Sequence, residues 1–267
     1  MSRIDEVFKK LKAEGRVALM PFITAGDPSL DVTGKIIREM ERAGADIIEL
    51  GIPFSDPLAD GPTIQRSSQR ALAGGVSLSK ILLFLKEQRS HISMPVVLMG
   101  YYNPIFRYGL ERFARDAKDA GADGLIVPDL PPEEAEDLIR EARRVDLDTV
   151  FLLAPTSTRE RIERVASVSR GFLYYVSLTG VTGARSRLSD DIGPSIAKIR
   201  EVTSQPVCVG FGISKPEHVR AVSGFADGVI VGSALVGFME ERLNDPGCPA
   251  QAGDFLLEFR KAAKRQG

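Results

Sequence analysis

Residues 46–63 read Asp46-Ile-Ile-Glu-Leu-Gly-Ile-Pro-Phe-Ser-Asp-Pro-Leu-Ala-Asp-Gly-Pro-Thr63. The first part, Asp46–Ile52, is an apolar run of strand length with one carboxylate, Glu49, in its middle. A proline ends the run, and the loop after it carries Asp60 and leads to Pro62, which suits the first turn of a helix. The stretch therefore predicts a buried strand, an acidic loop and a helix in that order.

The Glu49 carboxylate lies inside a strand that is expected to be buried. Burying a carboxylate is costly unless it is paired, protonated or used in chemistry. A buried Glu49 and a loop carboxylate close behind it indicate general acid–base catalysis with the two pKa values pushed apart. The alternative is a salt-bridged core glutamate beside a solvated loop aspartate, and this stretch alone leaves both open.

Eight short apolar runs, including this one, are rich in Val, Ile, Leu and aromatic residues. Several are apolar on both faces, which is typical of parallel strands buried on both sides. Amphipathic stripes lie between the runs, for example over 110–117 and 135–142. The runs are Val17–Thr24, Asp46–Ile52, Pro95–Tyr101, Gly124–Pro128, Thr149–Ala154, Phe172–Leu178, Pro206–Ile213 and Gly228–Val231.

The joints between helices and strands repeat a short pattern. Ala43-Gly-Ala-Asp46 and Ala120-Gly-Ala-Asp123 each end a helix on glycine and start a strand, and Phe225-Ala-Asp-Gly228 is a near variant. Glycine is expected just past a helix end because it can take positive φ. The aspartates lie at strand starts, so we expect them to have structural roles.

Alternation of eight strands with helices predicts an α/β protein, a single (β/α)8 TIM barrel domain over 1–267. An apolar stripe over 4–11 adds an N-terminal helix, and the longest connection, after Asp46–Ile52, holds helical patterns over 63–73 and 78–91. A doubly wound sheet is the alternative. The barrel is favoured because the chain shows no crossover break, and active sites of barrels form at the carboxyl ends of the strands.

Composition excludes several function classes. Lys+Arg 35 against Asp+Glu 36 gives a net charge of -1, which argues against nucleic-acid binding. Without an apolar run near the ~18–20 residues that span a bilayer, we expect no membrane segment. The N-terminal stripe lacks the pattern of a signal peptide, and the two cysteines predict no disulfide, so we expect a cytoplasmic protein.

The residue types and motifs that the sequence lacks argue against several kinds of catalysis. His91 and His218 are the only histidines and lie in polar helical contexts, so we expect them to be exposed and predict no metal site. The eight runs contain no lysine, which disfavours a Schiff-base mechanism. The sequence shows neither a Walker loop nor a dinucleotide-binding glycine motif, so it implies no nucleotide cofactor.

Glycines collect where a barrel binds phosphate. The seventh and eighth runs end in Val209-Gly-Phe-Gly-Ile213 and Val231-Gly-Ser-Ala-Leu235, and Gly180-Val-Thr-Gly183 follows the sixth. Loops after strands seven and eight with a helix N-terminus form the usual barrel phosphate site. Thr179–Asp191 also has the features of a lid, with Arg185 and Arg187 as mobile charges, although a solvated loop is the alternative.

Aromatic residues near the same rim predict an apolar pocket for a flat ligand. They are Phe22, Phe211 and one of the neighbouring pair Tyr174 and Tyr175.

Taken together, these motifs resemble the tryptophan synthase alpha subunit family, and they span nearly the whole chain in order. The 49–62 stretch is the most specific of them. The matching segments are Pro21-Phe-Ile-Thr-Ala-Gly-Asp-Pro28, Glu49–Pro62, Gly180-Val-Thr-Gly183, Gly210-Phe-Gly-Ile-Ser214 and Gly232-Ser233.

The resemblance implies a lyase that cleaves indole-3-glycerol phosphate by retro-aldol chemistry into indole and glyceraldehyde 3-phosphate. It implies Glu49 as general acid–base and Asp60 as second catalytic carboxylate. It also implies an alpha2-beta2 assembly in which a beta subunit carries pyridoxal phosphate, with no cofactor in this chain. The substrate contacts that it implies are Phe22, Tyr174, Thr182, Gly183, Gly212, Gly232 and Ser233.

Two other functions stay open from the sequence. One is a different phosphate-binding barrel, such as an isomerase of a phosphosugar–aromatic conjugate. The other is a barrel without activity that serves as a partner's regulatory subunit.

Overall fold

The computed structural model describes residues 1–176, 191–210 and 212–264. In these residues nine strands form one sheet, and every strand pairs with its neighbour in parallel. The order across the sheet is β5-β4-β3-β2-β1-β9-β8-β7-β6. The strands are β1 Ala18–Thr24, β2 Ile48–Gly51, β3 Val96–Met99, β4 Gly124–Ile126, β5 Asp148–Val150, β6 Leu152–Leu153, β7 Leu173–Val176, β8 Val207–Gly210 and β9 Gly228–Val231.

The two strands at the ends of that order are one strand of the barrel. β5 pairs with β4, β6 pairs with β7, and only Phe151 separates them along the chain. The predicted run Thr149–Ala154 is therefore divided in two, and the chain itself joins the two ends of the sheet. The sheet closes as a (β/α)8 TIM barrel, and the predicted fold is confirmed.

Helices surround the sheet. Besides the helices that connect successive strands, the structure has the additional helices that the sequence predicts and others that it does not. α3 and α4 both follow β2, and α1 precedes the barrel. α5 and α6 share the connection after β3; the amphipathic stripe over 110–117 predicts α6, whereas the sequence analysis did not predict α5. The helices are α1 Arg3–Ala13, α2 Leu30–Arg42, α3 Pro62–Ala73, α4 Leu78–Gln88, α5 Tyr102–Tyr108, α6 Leu110–Asp119, α7 Glu136–Arg144, α8 Arg159–Val168, α9 Ile192–Arg200, α10 Pro216–Val222, α11 Ser233–Glu240 and α12 Cys248–Ala262.

Helix α1 lies at the amino ends of the strands. It begins with a capping box, in which the Ser2 hydroxyl accepts from the Asp5 N–H and the Asp5 carboxylate accepts from the Ser2 N–H. Ile4 on its buried face lies against Gly124, the first residue of β4, and Gly171, two residues before β7. The helix therefore leaves the carboxyl ends of the strands open.

Three aspartates at strand starts have the structural role expected of them. Each carboxylate accepts the backbone N–H of the neighbouring strand at 2.9 Å and also contacts an arginine. The pairs are Asp46 with the N–H of Leu19, Asp123 with that of Val96, and Asp227 with that of Val207.

The strands are buried on both faces, as their composition predicts; all seven residues of β1 are buried. Cys208 and Cys248 are free and buried. No helix among the described residues is both long and apolar enough to cross a membrane. The single domain over 1–267 stays a prediction.

Candidate active site

Glu49 lies in the middle of β2, between Phe22 of β1 and Val97 of β3. Its side chain is fully buried, and within the described part of the chain neither carboxyl oxygen has a hydrogen-bond partner. Burial raises the pKa of Glu49 to about 8, and the nearby charge of Asp60 contributes to the rise. The alternative of a salt-bridged core glutamate is therefore wrong.

Asp60 lies near the end of the loop that follows β2, two positions before the start of α3. Its carboxylate is buried, and Oδ2 accepts a hydrogen bond of 2.9 Å from the Tyr101 hydroxyl. The same hydroxyl accepts from the Ala59 N–H at 3.0 Å, so Tyr101 holds both the carboxylate and the loop backbone. Burial raises the pKa of Asp60 to about 6, and the Tyr101 hydrogen bond opposes the rise. Asp56 of the same loop is exposed.

A cavity at the carboxyl ends of the strands brings the predicted residues together. Both carboxylates border it, with apolar side chains and a glycine-rich end around them. The lining residues are Phe22, Glu49, Asp60, Ile64, Met99, Tyr174, Gly212, Ile213, Ser214, Ile230, Gly232, Ser233 and Ala234.

The structure separates the two neighbouring tyrosines of β7. Side chains alternate along a strand, so one of the two faces the barrel interior and the other faces the helices. Tyr174 lines the cavity, whereas Tyr175 lines a separate small space that also contains Ser195 of α9. Gly210 leaves room for the inward tyrosine, because a Cβ there would lie 2.3 Å from the Tyr174 hydroxyl oxygen.

The glycine-rich end of the cavity is built from two loops and a helix start. α11 begins at Ser233, directly after Gly232, and both residues line the cavity with Gly212. The first N–H groups of a helix have no acceptor within it, so this end favours an anion. Gly212 has φ 79°, a left-handed conformation that suits glycine.

His218 is buried, with 6% of its surface exposed, so the expectation that it is exposed is wrong. Its Nδ1 lies 2.9 Å from the carbonyl oxygen of Gly212 and 3.2 Å from the backbone nitrogen of Ser214. The polar residues around it in the sequence do not reveal that its face of α10 turns toward the barrel. His91 is exposed as expected.

Several expected residues lie outside the described part of the chain. They are Thr182, Gly183, Phe211 and the proposed lid with Arg185 and Arg187. Among the described residues, no group of three or more His, Cys, Asp or Glu side chains is placed to hold a metal ion.

Sequence reasoning missed other residues of the site. The most informative is Tyr101, which bonds Asp60 from 41 residues away along the chain. Its position at the end of the third apolar run was a usable signal, because the carboxyl ends of barrel strands face the active site. Met99 ends β3 itself, and the remaining missed lining residues are Ile64, Ile213, Ser214, Ile230 and Ala234.

The fold and the cavity define a barrel enzyme with a pair of carboxylates at the carboxyl ends of its strands. The sequence model of the tryptophan synthase alpha chain matches residues 8–263. The chain belongs to the tryptophan synthase alpha chain family.

Relatives and solved structures agree with this assignment. The chain is 52% identical over 267 residues to the tryptophan synthase alpha chain of Geotalea uraniireducens, covering 100% of both chains. It is 55% identical over 262 residues to that of Geobacter sulfurreducens, covering 98% of this chain and 99% of the relative. Tryptophan synthase subunit alpha from Legionella pneumophila superposes with a TM-score of 0.91 at 41% identity, covering 98% of each chain. A structure of Mycobacterium tuberculosis tryptophan synthase superposes with a TM-score of 0.89 at 39% identity, covering 99% of each chain.

Proposed function

We propose that the chain is a carbon–carbon lyase that cleaves indole-3-glycerol phosphate to indole and glyceraldehyde 3-phosphate. This is the alpha reaction of tryptophan synthase in L-tryptophan biosynthesis. The observation that carries the proposal is the cavity that holds a buried glutamate of raised pKa and a second carboxylate at one end. A helix N-terminus suited to an anion forms the other end.

Glu49 acts as the proton shuttle. With a pKa of about 8 it is protonated at neutral pH, so it can give its proton to indole C3. The carboxylate that results accepts the proton of the substrate 3′-hydroxyl while the bond from C3 to the side chain breaks. The aldehyde carbonyl forms, and the bonding electrons return to the indole ring. The net change moves one proton from oxygen to carbon.

The Glu49 side chain turns toward the cavity before this transfer. Both of its oxygens are enclosed in the structure, although the residue borders the cavity. A rotation of the carboxyl group from the barrel interior toward the substrate therefore precedes protonation of C3.

Asp60 stabilises the charge that protonation creates. Its pKa of about 6 leaves it ionised at neutral pH. A carboxylate beside indole N1–H offsets the positive charge of the indolenine-like intermediate, and in a partly buried site this interaction is stronger than in water.

Substrate contacts follow from the two ends of the cavity. The phosphate binds at Gly212, Gly232 and Ser233, and Thr182 and Gly183 add to that end. The indole ring packs against Phe22 and Tyr174. Retro-aldol cleavage by two carboxylates needs no cofactor in this chain.

The test is to incubate the purified chain with indole-3-glycerol phosphate and measure indole. Gly232→Val should raise KM, because the added side chain occupies the space where the anion meets the backbone. Gly224→Val is the matched control, since Gly224 lies at the opposite end of the barrel and a Cβ there has open space around it. An isomerised product without indole would instead favour the phosphosugar–aromatic isomerase.

The partner is a beta subunit that carries pyridoxal phosphate, in an alpha2-beta2 assembly in the cytoplasm. A docking surface formed by Phe54, Leu58 and Phe106 supports this proposal: Leu58 is 88% exposed and Phe106 60%. Such apolar exposure beside an active-site mouth is typical of an interaction site. Pro53 of the same loop is buried, so it is not part of this surface.

Docking reaches the active site through Tyr101. The ring of Phe54 lies 5.3 Å from the Tyr101 ring, and the Tyr101 hydroxyl bonds Asp60. A partner that presses on the loop therefore shifts Asp60, so it should raise turnover in addition to receiving indole.

Titration of a beta subunit into the chain tests this coupling. Cleavage should accelerate, and Leu58→Asp should require more beta subunit for the same acceleration. Leu83→Asp on α4 is the control, because Leu83 is also exposed, at 59%, but lies outside the docking surface. Unchanged turnover at saturating beta subunit would leave a stand-alone lyase.

A further inference from the structure

One ion-pair cluster joins the loop after β1 to two helices that border the cavity. The Arg70 cluster consists of Asp27, Arg66, Ser67, Arg70 and Glu240. Asp27 lies in the loop after β1, the three middle residues lie on α3, and Glu240 is the last residue of α11. The mechanism uses none of these side chains.

Arg70 is the centre of the cluster. Its Nε and Nη2 donate to the two carboxylate oxygens of Asp27 at 2.8 and 2.7 Å, and its Nη1 donates to Glu240 Oε1 at 2.5 Å. The Ser67 hydroxyl donates to Asp27 as well, at 2.5 Å. The planar guanidinium fixes the direction of each of these bonds, which a lysine cannot do.

Arg66 offers a natural comparison on the same helix. It donates to both oxygens of Glu240, at 2.8 and 2.7 Å, but within the described residues it makes no hydrogen bond to Asp27. Its side chain is 51% exposed, whereas that of Arg70 is 27% exposed and that of Asp27 only 5%. Exposed ion pairs contribute little, so the buried fork of Arg70 carries most of the connection.

The joined segments also carry the residues that we assign to the substrate. α3 begins at Pro62, two positions after Asp60, and α11 begins at Ser233. The two helices pack closely, since a Cβ on Gly237 would lie 3.7 Å from Cγ2 of Thr63. The relative position of Asp60 and Ser233 is thus set by how α3 and α11 are held together.

We propose that Arg70 is a positioning residue that fixes the spacing between Asp60 and the start of α11. Arg70 thereby aligns the indole end of the substrate with its phosphate end. This inference rests on the proposed function, because it concerns a substrate that spans both ends of the cavity.

Such a role predicts a specific pattern of binding. A ligand that occupies one end is indifferent to the spacing, whereas a ligand that spans both loses the advantage of simultaneous contact. Arg70→Gln should therefore weaken indole-3-propanol phosphate by about 10-fold and lower kcat by about 10- to 100-fold. Affinities for inorganic phosphate and for indole alone should stay within about twofold.

Titration calorimetry and NMR on the full chain measure these affinities. Arg66→Gln is the matched control and should change all of them by less than about threefold. Arg70→Lys should restore part of the loss, since it keeps the charge but not the fork. If Arg70→Gln does not fold, Glu240→Gln tests the proposal in its place. It weakens only the bonds of the cluster to α11 and should give the same pattern of affinities.

Two outcomes would overturn the role of Arg70. One is a loss of phosphate and indole affinity as large as that of the spanning ligand, which indicates general loosening. The other is an equal effect of Arg66→Gln and Arg70→Gln. A wild-type chain that binds none of the three ligands would instead contradict the proposed function itself.

Discussion

The two ends of the barrel treat buried carboxylates in opposite ways. At the amino ends of the strands, Asp46 accepts the Leu19 N–H at 2.9 Å and pairs with Arg260 at 2.7 Å. At the carboxyl ends, Glu49 has no hydrogen-bond partner within the described residues, and Asp60 has the Tyr101 hydroxyl. Burial raises the pKa of Asp46 too, but the backbone N–H and the arginine oppose that rise.

The difference separates stability from chemistry. A backbone donor and an arginine stabilise the charged form of a carboxylate, and such a carboxylate ties two strands together. A carboxylate without such partners is costly to ionise, and that cost places its pKa where proton transfer is useful. The same residue type therefore serves the fold at one end and catalysis at the other.

The largest expected effect is on catalysis and comes from removing the Glu49 carboxylate. Glu49→Gln should keep the fold and lower the rate of indole release by about 10²–10⁴-fold, because an amide cannot shuttle a proton. Steady-state kinetics with indole-3-glycerol phosphate measure it. Glu141→Gln is the control: Glu141 is also buried, but it pairs with Arg140 and Arg144 away from the cavity. Near wild-type turnover of Glu49→Gln would remove Glu49 from the mechanism.

The next effect concerns the stability cost of the same residue. The pKa of Glu49 is about 8 in the folded chain against 4.5 for an ordinary glutamate, so the folded state keeps a proton that the unfolded state releases. Stability from this group therefore falls as pH rises from 4.5 to 8, by up to about 1.4 kcal/mol per pH unit.

Glu49→Gln should remove that fall. Its free energy of unfolding relative to wild type should improve by about 3 kcal/mol between pH 5 and pH 8, measured by urea denaturation at both pH values. If the difference in free energy of unfolding between Glu49→Gln and wild type does not change with pH, Glu49 ionises normally in the folded chain.

The sequence predicted the parts of this comparison that depend on local pattern. Eight apolar runs gave the barrel, because parallel strands buried on both faces need them. The repeated glycine–aspartate joints gave the structural carboxylates, and Glu49 was conspicuous as a carboxylate in an apolar run. Each of these signals lies within a few neighbouring residues.

Features that depend on distant contacts were out of reach. Tyr101 is recognisable as a partner of Asp60 only once β3 and the loop after β2 lie side by side. His218 was expected to be exposed because its neighbours in sequence are polar, yet tertiary packing buries it. Burial of a helix face or a loop residue is decided by the element that packs on it.

Removing a carboxylate that has partners at the amino ends of the strands should lower stability and leave turnover unchanged, the reverse of the effect expected for Glu49→Gln. Asp123 accepts the Val96 N–H at 2.9 Å and pairs with Arg89 at 3.2 Å. Asp123→Ala leaves both donors without this acceptor and should lower the free energy of unfolding by about 2 kcal/mol. The kcat measured well below the unfolding temperature should not change. Asp119→Ala, at an exposed position of α6, is the control. A stable Asp123→Ala variant with reduced kcat would contradict the division between the two ends.

The smallest effect tests the single partner of Asp60. The Tyr101 hydroxyl donates to the ionised form of Asp60 and so lowers its pKa; without it, the value should rise above about 6. Because cleavage needs Asp60 ionised, the acid limb of the kcat/KM profile should move upward in Tyr101→Phe by about 0.5–1 pH unit. Activity would then fall more at pH 5.5 than at pH 8. Tyr108→Phe removes a comparable bond of 2.8 Å, to Asp116, away from the cavity, and should leave the profile in place. If both variants keep the wild-type acid limb, Asp60 is not the group whose ionisation limits the reaction at low pH.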